Sequence, residues 1–256
     1  MPPFGELPLD GVVATFRSAL DRSLGLENGR RQEAATSVTS APLLAGTGLV
    51  LVTAAGRHRL IACDPAVVER VAELATRHGT PDLGELSYEL RRRGAEEVEV
   101  AALQVVHHQG LRPIELPDGG SLRRRPGREA AAELAELAAA CPDEHRDPAG
   151  LAGAEPTAVT FAVDADGAIL AAVTETPAAL APGFSELVVQ VRPSARGQGW
   201  GASSVAAAAV ACFGAGRLPM FRNAIGHGVA LRLAARVGFR RVGELWVSRF
   251  EDAVAA

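Results

Sequence analysis

The chain has 256 residues, is 48% hydrophobic and carries a formal net charge of −4. This is enough apolar material for a packed core and excludes a largely disordered chain, and the acidic balance argues against a nucleic-acid binder, whose binding domain is usually basic. All 26 Lys+Arg residues are arginine, which with the abundance of Ala, Gly and Pro reads as codon bias.

At 4% aromatic content, a platform for stacking nucleobases is not expected. The N-terminus lacks a basic stretch followed by an apolar run, so no signal peptide is expected. No apolar stretch reaches the ~18 residues of a membrane span. The expectation is a soluble, cytoplasmic protein with no membrane or nucleic-acid partner. Cys63, Cys141 and Cys212 are far apart in apolar contexts. They show no metal spacing and read as buried small hydrophobes. No metal is expected.

The first predicted element is a helix over residues 11–26, with Val12, Phe16, Leu20 and Leu24 forming one apolar stripe. Residues 49–52 and 58–62 read as a β-hairpin. Asp64-Pro65 is an N-cap followed by proline at the first helical position, with Val67, Val71, Leu74 and Ala75 as the buried face and Gly79 as the stop. A second helix opens at Asp82 with Glu85 three residues on, a capping-box spacing, and ends at Gly94. Arg91-Arg92-Arg93 closes it, where cations suit the helix dipole. Residues 97–106 read as a strand. His107-His108 follows, but adjacent strand residues face opposite ways and do not make a metal site.

Residues 113–127 are rich in Pro, Gly and charge, and the domain boundary is placed there, dividing the chain into 1–116 and 117–256. Leu122 to Arg125 reads as a first strand of the second domain, with its arginines on an exposed edge. A helix follows over 128–141, then a hairpin from strands 157–163 and 168–175 around the turn Asp164-Ala165-Asp166-Gly167. Strand 186–191 leads into Arg196-Gly197-Gln198-Gly199-Trp200-Gly201 and an Ala-rich helix to about Gly214. A short strand, 218–223, precedes a helix over 227–237 closed by Gly238, and 243–250 is the last strand.

Strand, Gly-rich turn and helix together build an anion site. Glycines let the backbone approach a phosphate, and the helix turns its unpaired N–H groups and positive dipole end toward it. The spacing is neither that of a dinucleotide fingerprint nor that of a P-loop, which needs a lysine.

Val189-Gln190-Val191-Arg192-Pro193, the turn from Arg196 to Gly201, and HGVALRLAARVGF at 227–239 together resemble the GNAT superfamily of acyl-CoA-dependent N-acyltransferases. The resemblance covers about residues 117–250. It implies an α+β fold, a mixed but mostly antiparallel twisted sheet flanked by helices. A smaller α+β unit precedes it, readable as a degenerate copy of the same half. It implies acetyl-CoA as cosubstrate and a primary amine of a small molecule or protein as acceptor. It implies cofactor contacts from Val189, Val191, Arg196, Gly197, Gln198, Gly199, Trp200, Gly201 and Ala202, with the backbone of Val189 and Val191 pairing with pantetheine. Trp200 reads more simply as packing.

For catalysis, the resemblance points to Glu186 as general base and to His227, which stands where the family commonly has an asparagine. Read from the residues alone, Glu186 is more simply a solvated strand-end carboxylate, and His227 more simply a helix cap. The family's usual tyrosine acid falls at Ala234, the sole tyrosine is Tyr88 in the other half, and Arg222 stands where some members place a glutamate. A non-catalytic acyl-CoA-binding protein is the alternative. A homodimer is compatible with the sequence but not marked by it.

Overall fold

A computed structural model describes residues 7–25, 36–55, 58–78, 83–141 and 155–254. The first helix, α1 (Leu9–Ser23), buries Val12, Phe16, Ala19 and Leu20 along the expected stripe. It is followed by β1 (Thr36–Ser40), β2 (Thr47–Ala55) and β3 (His58–Cys63), the last two forming the expected hairpin. Then come α2 (Val68–His78), α3 (Leu83–Arg92) and β4 (Ala95–Val105). Asp64 caps a single 3₁₀ turn before α2, accepting the N–H of Ala66 at 2.8 Å. The proposed stop at Gly79 and cap at Asp82 lie outside the described residues.

Within the 113–127 stretch the chain forms β5 (Ser121–Pro126), and past it α4 (Ala131–Ala139), β6 (Ala158–Val163), β7 (Ile169–Pro177) and β8 (Phe184–Val191). It continues with α5 (Trp200–Gly214), β9 (Leu218–Ala224), α6 (Gly228–Val237) and β10 (Arg240–Val254). The three arginines of β5 face protein carboxylates. Arg124 bonds Glu175 at 2.6 Å, and Arg123 and Arg125 both reach Glu133, at 2.7 and 3.4 Å.

The strands form one 10-stranded sheet in the order β1-β3-β2-β10-β4-β9-β8-β7-β6-β5. Among the described residues, only β1–β3 and β8–β9 are parallel. This is the expected mixed, mostly antiparallel α+β sheet. The division at residues 116–117 does not appear as two sheets. β4, from before that point, pairs with β9 on one edge and β10 on the other, while β10 reaches across to β2. The two halves are interleaved at the middle of the sheet, where β10 stands between β2 and β4.

Alternation along the strands splits the core into two layers. On one face, α1 covers Leu103, Met220, Phe184 and Leu245, with Phe16 edge-on to Phe184 at 5.3 Å. On the same face α4 sets Leu137 over Val159, Phe161 and Ala172. On the other, α5 and α6 cover Val173, Leu187, Val189 and Phe221. Further along that face lie α2 and α3, over Val50, Val52, Ile61 and Phe250. Helix α5 is apolar nearly all round because it is enclosed, and its alanines let it lie close to β6, β7 and β8. All three cysteines are buried, as expected of small core residues. Burial, with the Asp64 charge beside it, pushes the Cys63 thiol up to about 11. For Cys212, burial with the Glu175 carboxylate nearby gives about 12.

Candidate functional site

The site begins where two parallel strands part. β8 and β9 pair only over Phe184–Leu218, Ser185–Pro219 and Glu186–Met220. Beyond Glu186, β8 keeps β7 on one edge as far as Val191, and its other edge is open. The N–H of Arg192 bonds Leu170 on the β7 side at 2.8 Å. By the alternation of an antiparallel ladder, Val189 therefore turns its N–H and C=O, and Val191 its N–H, to the open edge, while the Val191 C=O accepts from Arg196 Nε. A ligand amide chain finds a ready strand edge there.

At the far end of β8 the chain makes a 3₁₀ turn at Pro193–Ala195 and then enters α5. Gly199 is the N-cap, at φ 102°, and Gly197 is at φ 77°, values that favour glycine. Among the described residues, no side chain caps α5. The first N–H groups of a 15-residue helix thus end at the mouth of the gap between β8 and β9. The turn is braced from behind. Gln198 donates to Ser194 O at 2.8 Å and accepts from Trp200 Nε1 at 3.4 Å, and Arg196 Nε donates to Val191 O at 3.3 Å. Trp200 packs among Ala162, Ala171 and Ala195 against the Pro117–Gly120 turn; a Cβ on Gly120 would lie 2.5 Å from its ring.

The gap is a cleft of about 460 Å³. Its walls include Val189, Val191 and Ala202, with Arg196, Gly197, Gly199 and Gly201 at the turn and His227 at the start of α6. Of the residues expected at the cofactor, Gln198 and Trp200 do not line it; their side chains brace the turn instead. Gly201 is closely packed as well as lining, since a Cβ there would lie 2.8 Å from Val191 Cγ2 and 3.2 Å from Leu233 Cδ1. His227 is the N-cap residue of α6, but its side chain makes no cap hydrogen bond, so the capping role is not the one it fills. Arg232 and Arg236, one turn apart on α6, also line the cleft, and among the described residues neither pairs with a carboxylate. Their i, i+4 spacing was legible in the sequence, but nothing there placed them at the cleft.

Glu186 is buried at the apex, 5% exposed, at the last β8–β9 pair. Arg222, two residues past that pair on β9, donates Nε to Glu186 Oε1 at 3.0 Å. It also donates Nη1 to Glu99 Oε2 at 2.5 Å. Glu186 is therefore not a solvated strand-end carboxylate. Glu99 carried no signal in the sequence, because it arrives through the pairing of β4 with β9, from the other half of the chain. On the sheet face that Glu186 shares with Val188 and Gln190, a second cavity of about 290 Å³ lies beneath α4. Val188 is the one residue common to both cavities.

Ala234 is fully buried between α6 and the sheet and offers no acid. Tyr88 lies exposed on α3 beside Arg92. Among the described residues, no group of three or more His, Cys, Asp or Glu is placed to hold a metal, and no helix is long and apolar enough to cross a membrane.

No family model and no curated protein matches the sequence. Solved structures do match. A GCN5-related N-acetyltransferase from Kribbella flavida is 20% identical, with a TM-score of 0.53 over 94% of each chain. A GCN5-related N-acetyltransferase from Sphaerobacter thermophilus is 17% identical over 75% of this chain and 71% of its own, TM-score 0.48. An acetyltransferase from the GNAT family of Colwellia psychrerythraea is 13% identical over 75% of this chain and 76% of its own, TM-score 0.44. At these identities, the match over 94% of the chain shows a shared fold, not a shared chemistry.

Proposed function

We propose that this chain, which has the fold of the GCN5-related N-acetyltransferases, binds acetyl-CoA or another short acyl-CoA in the β8–β9 cleft and transfers the acyl group to a primary amine. One observation carries the reading. The open edge of β8 and the uncapped start of α5 face one cleft, at the two ends of the stretch that a pantetheine and its pyrophosphate would span. Val189 and Val191 offer backbone partners for the pantetheine amides. The amides from Gly197 to Ala202 meet the pyrophosphate, and Arg196, Arg232 and Arg236 supply positive charge for the phosphates. Gln198 and Trp200 contribute through the shape of the turn.

The thioester end then points toward the apex, near Val188 and Glu186, where the cavity under α4 gives an amine a way in from the other face. The amine nitrogen attacks the thioester carbonyl carbon, Glu186 accepts the amine proton directly or through water, and the C–S bond breaks. The ion pair with Arg222 holds this carboxylate in place at the apex. Thiolate is a good leaving group, so no side chain is needed at Ala234 to protonate it before it departs. His227 lines the cleft near the thiol's path and is positioned to contact pantetheine.

The buried Ala234 favours the second reading, a protein that binds acyl-CoA without turning it over. Calorimetric titration with acetyl-CoA, followed by thiol release over a panel of primary amines, separates the two. Binding with release supports the transferase, binding without release the regulatory protein, and no binding refutes both. In the transferase, Glu186→Gln lowers kcat by about 100-fold, within the usual range for a general base, with little change in acetyl-CoA affinity.

A further inference from the structure

We infer that Glu99, supplied by the first half of the chain, is a positioning residue that acts through Arg222 on Glu186. This rests on the transferase reading above. The three side chains form one buried row on the same sheet face. Glu99 stands on β4, Arg222 on β9 and Glu186 on β8, with side-chain exposures of 11%, 6% and 6%. The guanidinium is planar, and its two acids sit on different nitrogens, Glu186 on Nε at 3.0 Å and Glu99 on Nη1 at 2.5 Å. A fork held at both sides cannot turn about its own stem, and its orientation fixes where the Glu186 carboxylate rests.

The place of this row gives it a task. β8 and β9 stop pairing at Glu186–Met220, and Arg222 lies just beyond. No backbone hydrogen bond between the two strands holds Glu186 in register with β9 after that point. The side-chain bridge takes over, and it is anchored from β4, which pairs with β9 at Leu103–Arg222. Glu99 also divides the charge of Arg222 between two acids, so the guanidinium is not committed to Glu186 alone. A site completed by a strand from before residue 117 also gives the interleaving of the two halves a functional reason.

The test is a double-mutant cycle in the full chain. Thiol release from acetyl-CoA is followed with 2-phenylethylamine, lysine and spermidine, and the fastest is used, alongside calorimetric acetyl-CoA affinity. Glu99→Gln keeps the shape and an acceptor oxygen and removes the charge. It is expected to lower kcat by about tenfold while acetyl-CoA affinity stays within about twofold. In the Glu186→Gln background the same change is expected to cost nothing further, because its route of action is gone. Glu99→Asp, which keeps the charge, should retain more of kcat than Glu99→Gln. A full tenfold loss on top of Glu186→Gln, or no loss in either background, overturns the proposal. Full activity of Glu186→Gln, or no release from any amine, instead removes the transferase reading with Glu186 as base.

Discussion

Two strand-to-helix junctions in this molecule treat a helix start in opposite ways. After β3, Asp64 accepts the N–H of Ala66 at 2.8 Å and the N–H of Gly48 at 2.8 Å, so the chain's own carboxylate occupies the anion position. After β8, Gly199 stands at the corresponding place, no side chain among the described residues caps α5, and a cleft lies in front. The strands differ too. β3 is paired on both edges along its length, by β1 and β2, whereas β8 loses β9 after Glu186. The difference lies in what stands before the helix start: at the first junction Asp64 fills the anion position, whereas at the second that position is left open beside a strand edge that β9 has left.

The sharpest way to break this comparison is to make the second junction like the first. Gly199→Asp puts a carboxylate at the start of α5, where it competes with a phosphate and repels it. Acetyl-CoA affinity is expected to fall by at least about 100-fold, roughly 3 kcal/mol. Calorimetry showing affinity within threefold of the parent would break the site assignment.

The reciprocal change, Asp64→Ala, leaves the buried Gly48 N–H without its partner and uncaps the turn before α2. Stability should drop by about 2–3 kcal/mol in urea unfolding, with acetyl-CoA affinity unchanged. A comparable loss of affinity would mean that the first junction also serves the ligand. Arg232→Ala and Arg236→Ala together should weaken acetyl-CoA about tenfold at low salt and less at high salt, because these exposed cations act through a screened field. A loss that ignores ionic strength would point to packing instead.

Gly201→Ala sharpens the comparison from the packing side. Its Cβ would press on Val191 and Leu233, 2.8 and 3.2 Å away, and about 1 kcal/mol of stability is expected to be lost. Two of the three buried thiols, those of Cys63 beside Asp64 and of Cys212 on α5, add a pH dependence to stability. Their folded values, about 11 for Cys63 and about 12 for Cys212, lie above the ordinary 9.0. Above pH 9 the unfolded chain releases protons that the folded protein keeps, so stability falls as pH rises through that range. Urea midpoints at pH 8 and pH 10.5 should differ in that direction, and Cys212→Ala should reduce the difference.

Much of the candidate site is legible in the sequence. The glycines of 196–201 announced the turn, the Ala-rich run announced the helix, and the strand at 186–191 placed Val189 and Val191 beside it, because these are local signals of period, cap and φ. The roles within the turn were less legible. Gln198 and Trp200 sit in the motif yet face away from the cleft, since Trp200 is drawn onto the Pro117–Gly120 turn by packing that no local spacing encodes. Glu186 was visible as a carboxylate on the right strand, but not as a buried, paired one.

By itself the sequence determined the elements: which stretches alternate, which repeat every three or four residues, where Asp64 and Gly238 begin or end a helix, and where the Gly-rich turn at 196–201 interrupts the chain. Those choices rest on backbone sterics and on neighbours a few residues away. Only the tertiary structure decided that β4 runs between β9 and β10, that β8 and β9 part after Glu186, and that Glu99 and Glu186 meet at Arg222. Strand order and buried charge pairing join residues more than a hundred positions apart, and they are settled by which pairings satisfy every backbone group and bury every apolar face at once.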